Sequence, residues 1–197
     1  AKAKDTYDPR HRPTPLFFAV LSKSEEVVRI ILQRGADVNA TTRGHWGRTA
    51  LIVTAWTRCV NIARLLLDYG ASINAVCDIG NGATALYIAT ENGDISMVKM
   101  LLDRGANVIV VADYRKISAL RIAAESNRIE LAEMFLDEDM AVADVEEAMH
   151  IACEKGRVEV ARTILRKAPN IALMWERKMA LQTAEWNGHE EIAKLLR

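Results

Sequence analysis

Four histidines (His11, His45, His150, His189), three cysteines (Cys59, Cys77, Cys153) and a run of carboxylates between Asp137 and Glu147 could hold a metal or move a proton. Their spacing argues against both. The histidines fall in separate segments, and His189-Glu190-Glu191-Ile192 is followed by Ala193 where a zinc-hydrolase helix needs a second histidine. Asp137-x-Asp139 opens like a calcium loop. Val142 then occupies the glycine position and Ala148 the position of the closing glutamate. Gly80-Asn81-Gly82 reads as a turn, because no GxxxxGK[ST] or GxGxxG spacing surrounds it. No serine or cysteine lies in a recognisable nucleophile motif. The expectation is a chain with no catalytic residues, no bound metal and no cofactor, hence not an enzyme. The acidic run is expected to be a solvated face. Contact with a basic partner is the alternative, and Tyr114-Arg115-Lys116, one unit earlier, would be its basic counterpart.

Composition narrows the partner. The 197 residues are 50% hydrophobic, with 26 Lys plus Arg against 26 Asp plus Glu and zero formal net charge. Non-specific nucleic-acid binding and adsorption to anionic membranes both need a basic field, so neither is expected. No apolar run reaches the roughly 20 residues that span a bilayer. Three cysteines, odd in number and without a CxxC pair, suggest reduced thiols and an intracellular protein, cytoplasmic with the nucleus as alternative. Asn39-Ala40-Thr41 matches a glycosylation acceptor, but no secretory signal accompanies it. The chain begins without Met and stops in mid-pattern at Leu195-Leu196-Arg197, as a piece of a longer protein would.

Residues 1–13 are polar, with Lys2, Lys4, Arg10, His11, Arg12 and prolines at 9 and 13, and read as a linker or flexible arm. Residues 14–197 repeat. The openings are Thr14-Pro15-Leu16, Thr49-Ala50-Leu51, Thr84-Ala85-Leu86, Ser118-Ala119-Leu120, Glu147-Ala148-Met149 and Met179-Ala180-Leu181, at intervals of 35, 35, 34, 29 and 32 residues. The most regular unit is Thr84 to Val110. Thr84 can cap a two-turn helix carrying Leu86, Ile88 and Ala89, and Asn92-Gly93 breaks that helix. Asp94 caps a second helix whose Ile95, Val98, Leu101 and Leu102 share one face, with Lys99 and Asp103 on the solvated side; Gly105 ends it. Such short helices need neighbours, so side-by-side stacking into an elongated, curved solenoid is expected.

The pattern Thr-Pro-Leu-x-x-Ala, then Gly, then Leu-Leu-x-x-Gly-Ala-x-Val-Asn resembles the ankyrin repeat. Repeat one has Thr14-Pro15-Leu16 and Leu32-Gln33-Arg34-Gly35-Ala36-Asp37-Val38-Asn39. Repeat two has Leu66-Leu67-Asp68-Tyr69-Gly70-Ala71-Ser72-Ile73-Asn74. Repeat three has Leu101-Leu102-Asp103-Arg104-Gly105-Ala106-Asn107-Val108, and repeat six has Trp186-Asn187-Gly188-His189 at its turn. The resemblance covers about residues 14–197 and implies an all-α solenoid of helix-turn-helix pairs with projecting finger loops. Lys23, Arg58 and Asn127 replace the turn glycine, and the family's histidine after Thr-Pro-Leu appears only as His150. Repeat four lacks the closing Gly-Ala and repeat five ends Ala168-Pro169-Asn170, so the connections there are expected to be irregular. Repeat six stops inside its second helix, which is either an end cap or a continuation point.

The resemblance also implies where a partner docks: on the concave face formed by the first helices and on the fingers. Transferred to this sequence, the first-helix positions are Leu21 and Ser22, Trp56 and Thr57, Glu91 and Asn92, Glu125 and Ser126, Glu154 and Lys155, and Trp186. The finger positions are His45, Trp46 and Arg48, Asn81, Tyr114 and Arg115, Asp144, and Trp175, Glu176 and Arg177. All four tryptophans fall on this set, and tryptophan is enriched at interface hot spots. The competing expectation is that these rings fill gaps between irregular repeats, with Trp186 as a terminal lid. The implied function is a protein–protein interaction module with an unidentified protein partner, monomeric, held within a larger intracellular protein. The alternative is a regulatory domain packed on a catalytic or membrane domain of the same chain.

Overall fold

Thr14, Thr49, Thr84 and Ser118 start four helices in the same way. Each hydroxyl oxygen accepts from the backbone N–H three residues on, at 3.2 Å from Phe17, 3.4 Å from Ile52, 3.1 Å from Tyr87 and 3.2 Å from Arg121. One of the donors left open at a helix start is thereby satisfied. The computed structural model describes residues 13–42, 47–77, 82–112, 115–137, 140–169 and 175–197. In it these caps open α1 (Pro15–Leu21), α3 (Ala50–Thr57), α5 (Ala85–Asn92) and α7 (Ala119–Glu125). Each is followed after a tight turn by a second helix: α2 (Glu25–Gln33), α4 (Val60–Asp68), α6 (Ile95–Asp103) and α8 (Ile129–Leu136). The remaining pairs are α9 (Val142–Lys155) with α10 (Val158–Lys167), and α11 (Trp175–Trp186) with α12 (Glu190–Leu196). Asp94 Oδ1 caps α6 by accepting from Met97 N–H at 3.1 Å, as expected.

Between adjacent repeats, first helices pack on first helices in the order α1, α3, α5, α7, α9, α11, and form one layer. Second helices form the other layer, with α4 between α2 and α6 and with α10 between α8 and α12. A small residue four before each turn lets the two layers approach. Ala19, Ala89, Ala123, Ala152 and Ala184 fill that position in five repeats and Thr54 in the sixth, and all are at most 4% exposed. The core runs without a break through all six repeats.

The turn between paired helices is left-handed in every repeat. Gly93, Gly156 and Gly188 have φ of 70°, 69° and 75°; Lys23, Arg58 and Asn127 hold the same conformation at 57°, 57° and 54°. A side chain there costs about 1–2 kcal/mol. Arg58 recovers part of this by donating from Nη2 to the carbonyl of Asn92 in the next repeat at 3.0 Å.

Connections between repeats are tied across the stack. Asn39 Oδ1 accepts from Ser72 N–H at 2.7 Å while its Nδ2 donates to Gly70 O at 3.1 Å. One repeat later Asn74 Oδ1 accepts from Asn107 N–H at 2.8 Å. The next equivalent position is Ile109, which has no such side chain. There the chain forms a two-stranded antiparallel ribbon instead, β1 (Ile109–Ala112) with β2 (Arg115–Ser118), Ile109 opposite Ser118 and Ala112 opposite Arg115. The necks of the earlier fingers carry backbone bonds from Thr42 N–H to Arg48 O at 3.1 Å and from Cys77 N–H to Ala83 O at 3.2 Å.

Two expectations fail in the second half. Glu147 and Met179 do not open helices; they lie inside α9 and α11, which start several residues earlier. Neither residue can cap, so nothing stops helix from extending upstream, and α9 starts behind Ala141 with no side-chain cap at all. As a result Asp144 is in the first turn of α9 rather than on a finger. Burial first, then the charge of Glu147, holds its carboxyl above the usual carboxylate range. Trp175, Glu176 and Arg177 likewise belong to α11 and not to a finger.

Two glycines separate backbone strain from crowding. A Cβ on Gly105 (φ +82°) would meet nothing within 4 Å, whereas one on Gly156 (φ +69°) would come within 2.7 Å of the His189 ring. Gly105→Ala is expected to cost about 1 kcal/mol in urea unfolding and Gly156→Ala about 2 kcal/mol or more, because only the second displaces a neighbouring repeat. Equal costs would show that crowding at the turn is unimportant.

Candidate functional site

Counting back from the left-handed turn residue puts the six repeats on one scale. Three residues before the turn stand Val20, Ala55, Thr90, Ala124 and Cys153 in repeats one to five, all 0% exposed. One residue further on the chain emerges. The position two before the turn is Leu21, Trp56, Glu91, Glu125, Glu154 and Trp186, and these form a row across the first-helix layer. Leu21 is 46% exposed, Trp56 53% and Trp186 89%. Glu91 and Glu125 are exposed and Glu154 is half-buried. The row is thus apolar at both ends and acidic in the middle.

Backbone carbonyls of the acidic stretch are already engaged. Arg128 donates from Nε and Nη2 to Glu91 O at 3.1 and 2.9 Å, and Arg157 from Nη2 to Glu125 O at 3.3 Å. His189 Nε2 lies 3.1 Å from Glu154 O. In each case the residue just after one turn caps the first helix of the preceding repeat, where open carbonyls and the helix dipole favour a cation. With the carbonyls satisfied from behind, the carboxylates face outward chemistry. Glu91 and Glu125 have no ion-pair partner among the described residues. Glu154 is held by Lys155 Nζ at 2.8 Å, and this hydrogen bond keeps its carboxyl below the usual range.

At the other end, the Arg48 guanidinium lies over the Trp56 ring, 4.5 Å from its centroid. Arg48 comes from the finger neck, where its N–H also donates to Thr42 Oγ1 at 3.1 Å. A cation over a half-exposed indole holds the ring in place while part of the residue stays open to solvent. Beside Trp186, Gln182, Thr183, Glu185, Trp186 and Asn187 line an open depression of about 520 Å³.

The structure brings together Arg48, Trp56, Glu91, Glu125 and Trp186 from the expected set, along one layer. Thr57 and Asn92, one residue before the turn, are engaged within the fold. Thr57 Oγ1 donates to Val53 O at 3.0 Å, and Asn92 Nδ2 donates to Ala55 O of the preceding repeat at 3.4 Å. Arg115 opens β2 and Trp175 opens α11. His45, Trp46, Asn81 and Tyr114 lie outside the described residues. His150 is exposed on α9, with Nδ1 3.5 Å from Thr183 Oγ1 of the next repeat. The carbonyl-capping residues Arg128, Arg157 and His189 were missed from sequence. Their spacing of 29 and 32 residues, matching the repeat intervals, was the available signal.

No three His, Cys, Asp or Glu side chains converge as metal ligands among the described residues. No helix there is long and apolar enough to cross a membrane. None of the three cysteines is in a disulfide.

Comparison with known proteins bears on the fold. The family profile described as "Ankyrin repeats (3 copies)" matches residues 2–77 and 120–197, and that described as "Ankyrin repeats (many copies)" matches residues 55–102. Among solved structures, the human ASB11 ankyrin repeat domain superposes with a TM-score of 0.76 at 23% identity, over 93% of this chain and 82% of that one. The ankyrin repeat domain of Bcl-3, described as a unique member of the IkappaB family, gives 0.76 at 22% identity over 93% and 85%. No curated protein matches by sequence.

One chemical consequence is testable. Burial pushes the Cys153 thiol up to about 12, so almost no thiolate exists near neutrality. In a Cys59→Ser/Cys77→Ser background, Cys153 is expected to react with a disulfide reagent at pH 8 at least about a hundredfold slower than a free thiol until the chain unfolds. A rate close to that of free cysteine would contradict its burial.

Proposed function

The chain belongs to the ankyrin-repeat family, and we propose that it binds a protein partner along the row from Leu21 to Trp186 and on the fingers beside it. The observation that carries this is the half-exposed Trp56 held under the Arg48 guanidinium, one residue beyond a position that is fully buried in the first five repeats. A large amphipathic ring kept in place at an open face binds at low entropic cost. Leu21 extends the apolar end, while Glu91 and Glu125 supply exposed negative charge further along. The matching partner is a protein segment with an apolar anchor followed by Lys or Arg. Zero net charge and carboxylates along the row disfavour nucleic acid. By this reading the chain works as the binding part of a larger intracellular protein, and its chemistry is recognition.

Peptides selected from a random display library against the intact chain test it. Trp56→Ala with Glu125→Lys is expected to weaken the selected peptides at least about tenfold, as loss of a hot spot would. Helical circular dichroism and the melting temperature should stay within about 2 °C of the parent, since both side chains are surface groups. Retained binding would exclude the row, and a large drop in melting temperature would mark Trp56 as core.

A further inference from the structure

The two ends of the stack differ. Each internal repeat receives its predecessor at three positions: five before the turn, and four and seven after it. At the first, Val53, Ile88, Ile122 and Ile151 are at most 8% exposed; at the second, Ile62, Met97, Leu131, Val160 and Ile192 are at most 3% exposed. At the third, Leu65, Met100 and Thr163 are at most 6% exposed and Met134 is partly buried. Repeat one carries Phe18, Val27 and Ile30 at the same three positions, 58%, 43% and 47% exposed. These side chains are as large and apolar as their buried counterparts, and Phe17 braces Phe18 edge-on at 5.9 Å.

The far end is finished differently. The residue three before the turn, buried in repeats one to five, is Glu185 in repeat six, and it pairs in the open with Arg197 at 2.8 Å. A polar outer face is what a terminal repeat needs, and apolar receiving positions are what an internal one needs. Repeat six places the charged Glu185–Arg197 pair on that face beside a partly buried Leu181, and repeat one carries the apolar receiving positions.

We propose that the exposed face of repeat one, centred on Phe18, Val27 and Ile30, is a docking surface for a further helix–turn–helix unit of the same kind. Its occupant is specified by continuity with the five repeat interfaces already in the chain. Each preceding repeat offers a small residue three before its turn (Val20, Ala55, Thr90, Ala124, Cys153) and Leu or Met seven before it (Leu16, Leu51, Leu86, Leu120, Met149), all at most 5% exposed. The docking unit presents that same pair of positions. Head-to-tail stacking of a second copy does not meet this requirement, because it would press the Glu185–Arg197 pair against Phe18 and strip its water. This surface is separate from the row proposed above to bind a partner, so either can fail without the other.

The test lengthens the chain with a copy of its own third repeat, residues 84–117, joining Ile117 to Thr14. Urea unfolding of the lengthened chain is expected to remain a single transition, with a steeper slope and a midpoint higher by about 0.5 M or more. Val27→Glu with Ile30→Glu should abolish that gain in the lengthened chain, yet move the midpoint of the original 197-residue chain by less than about 0.2 M. Independent melting of the added unit, or no gain at all, would overturn the proposal. So would an equal loss in both chains, which would make Val27 and Ile30 internal packing residues. Sedimentation of the original chain at about 50 µM should show a monomer; a dimer dissociated by the same double substitution would make a second copy the occupant and overturn it as well.

Discussion

Helices of seven to nine residues do not hold together alone in water. Among the described residues, nine of the twelve helices, α1 to α8 and α12, are of that length. They persist because each covers the apolar face of the next. A residue such as Met97 or Leu131, sealed by the preceding repeat, contributes about 1.5–3 kcal/mol by leaving water. This one requirement explains why small residues recur where the layers meet and why the turns keep a left-handed backbone even at Lys23, Arg58 and Asn127. A turn that relaxed would tilt its second helix out of the stack, and that would cost more than the strained residue does.

Polar links between repeats are arranged to leave one face free. Asparagines at 39 and 74 tie the connections in the first half; Arg128, Arg157 and His189 cap helix ends in the second. The change of device follows the sequence: the asparagine series ends at Ile109, and cations start to follow the turns at Arg128. Both devices satisfy backbone groups from within the stack. The side chains of Trp56, Glu91 and Glu125 take part in neither device, which is why they are the ones proposed for recognition.

Much of this was legible in the residues. Thr14, Thr49, Thr84 and Ser118 marked helix starts because a capping hydroxyl acts locally, on an N–H three residues away. Gly93 and Gly105 marked helix ends for an equally local reason. The upstream extension of α9 and α11 was invisible, because Glu147 and Met179 open the fifth and sixth copies of the sequence pattern but lie inside helices that begin several residues earlier. The row position was found by counting from the turn, whereas the hydrogen bonds that the neighbouring Thr57 and Asn92 make within the fold were not visible in the sequence. The carbonyl caps depend on contacts between segments more than 30 residues apart, and the Arg48–Trp56 stack on how the finger neck folds back on α3; periodicity alone reveals neither.

Native-state hydrogen exchange tests most directly whether neighbours on both sides hold each repeat in place. The slowest amides should lie in α5 and α7, around Leu86 to Ala89 and Leu120 to Ala124, and those of α1, α2 and α12 should exchange at least about tenfold faster. Uniform protection from α1 to α12, or slowest exchange in an end repeat, would contradict the account.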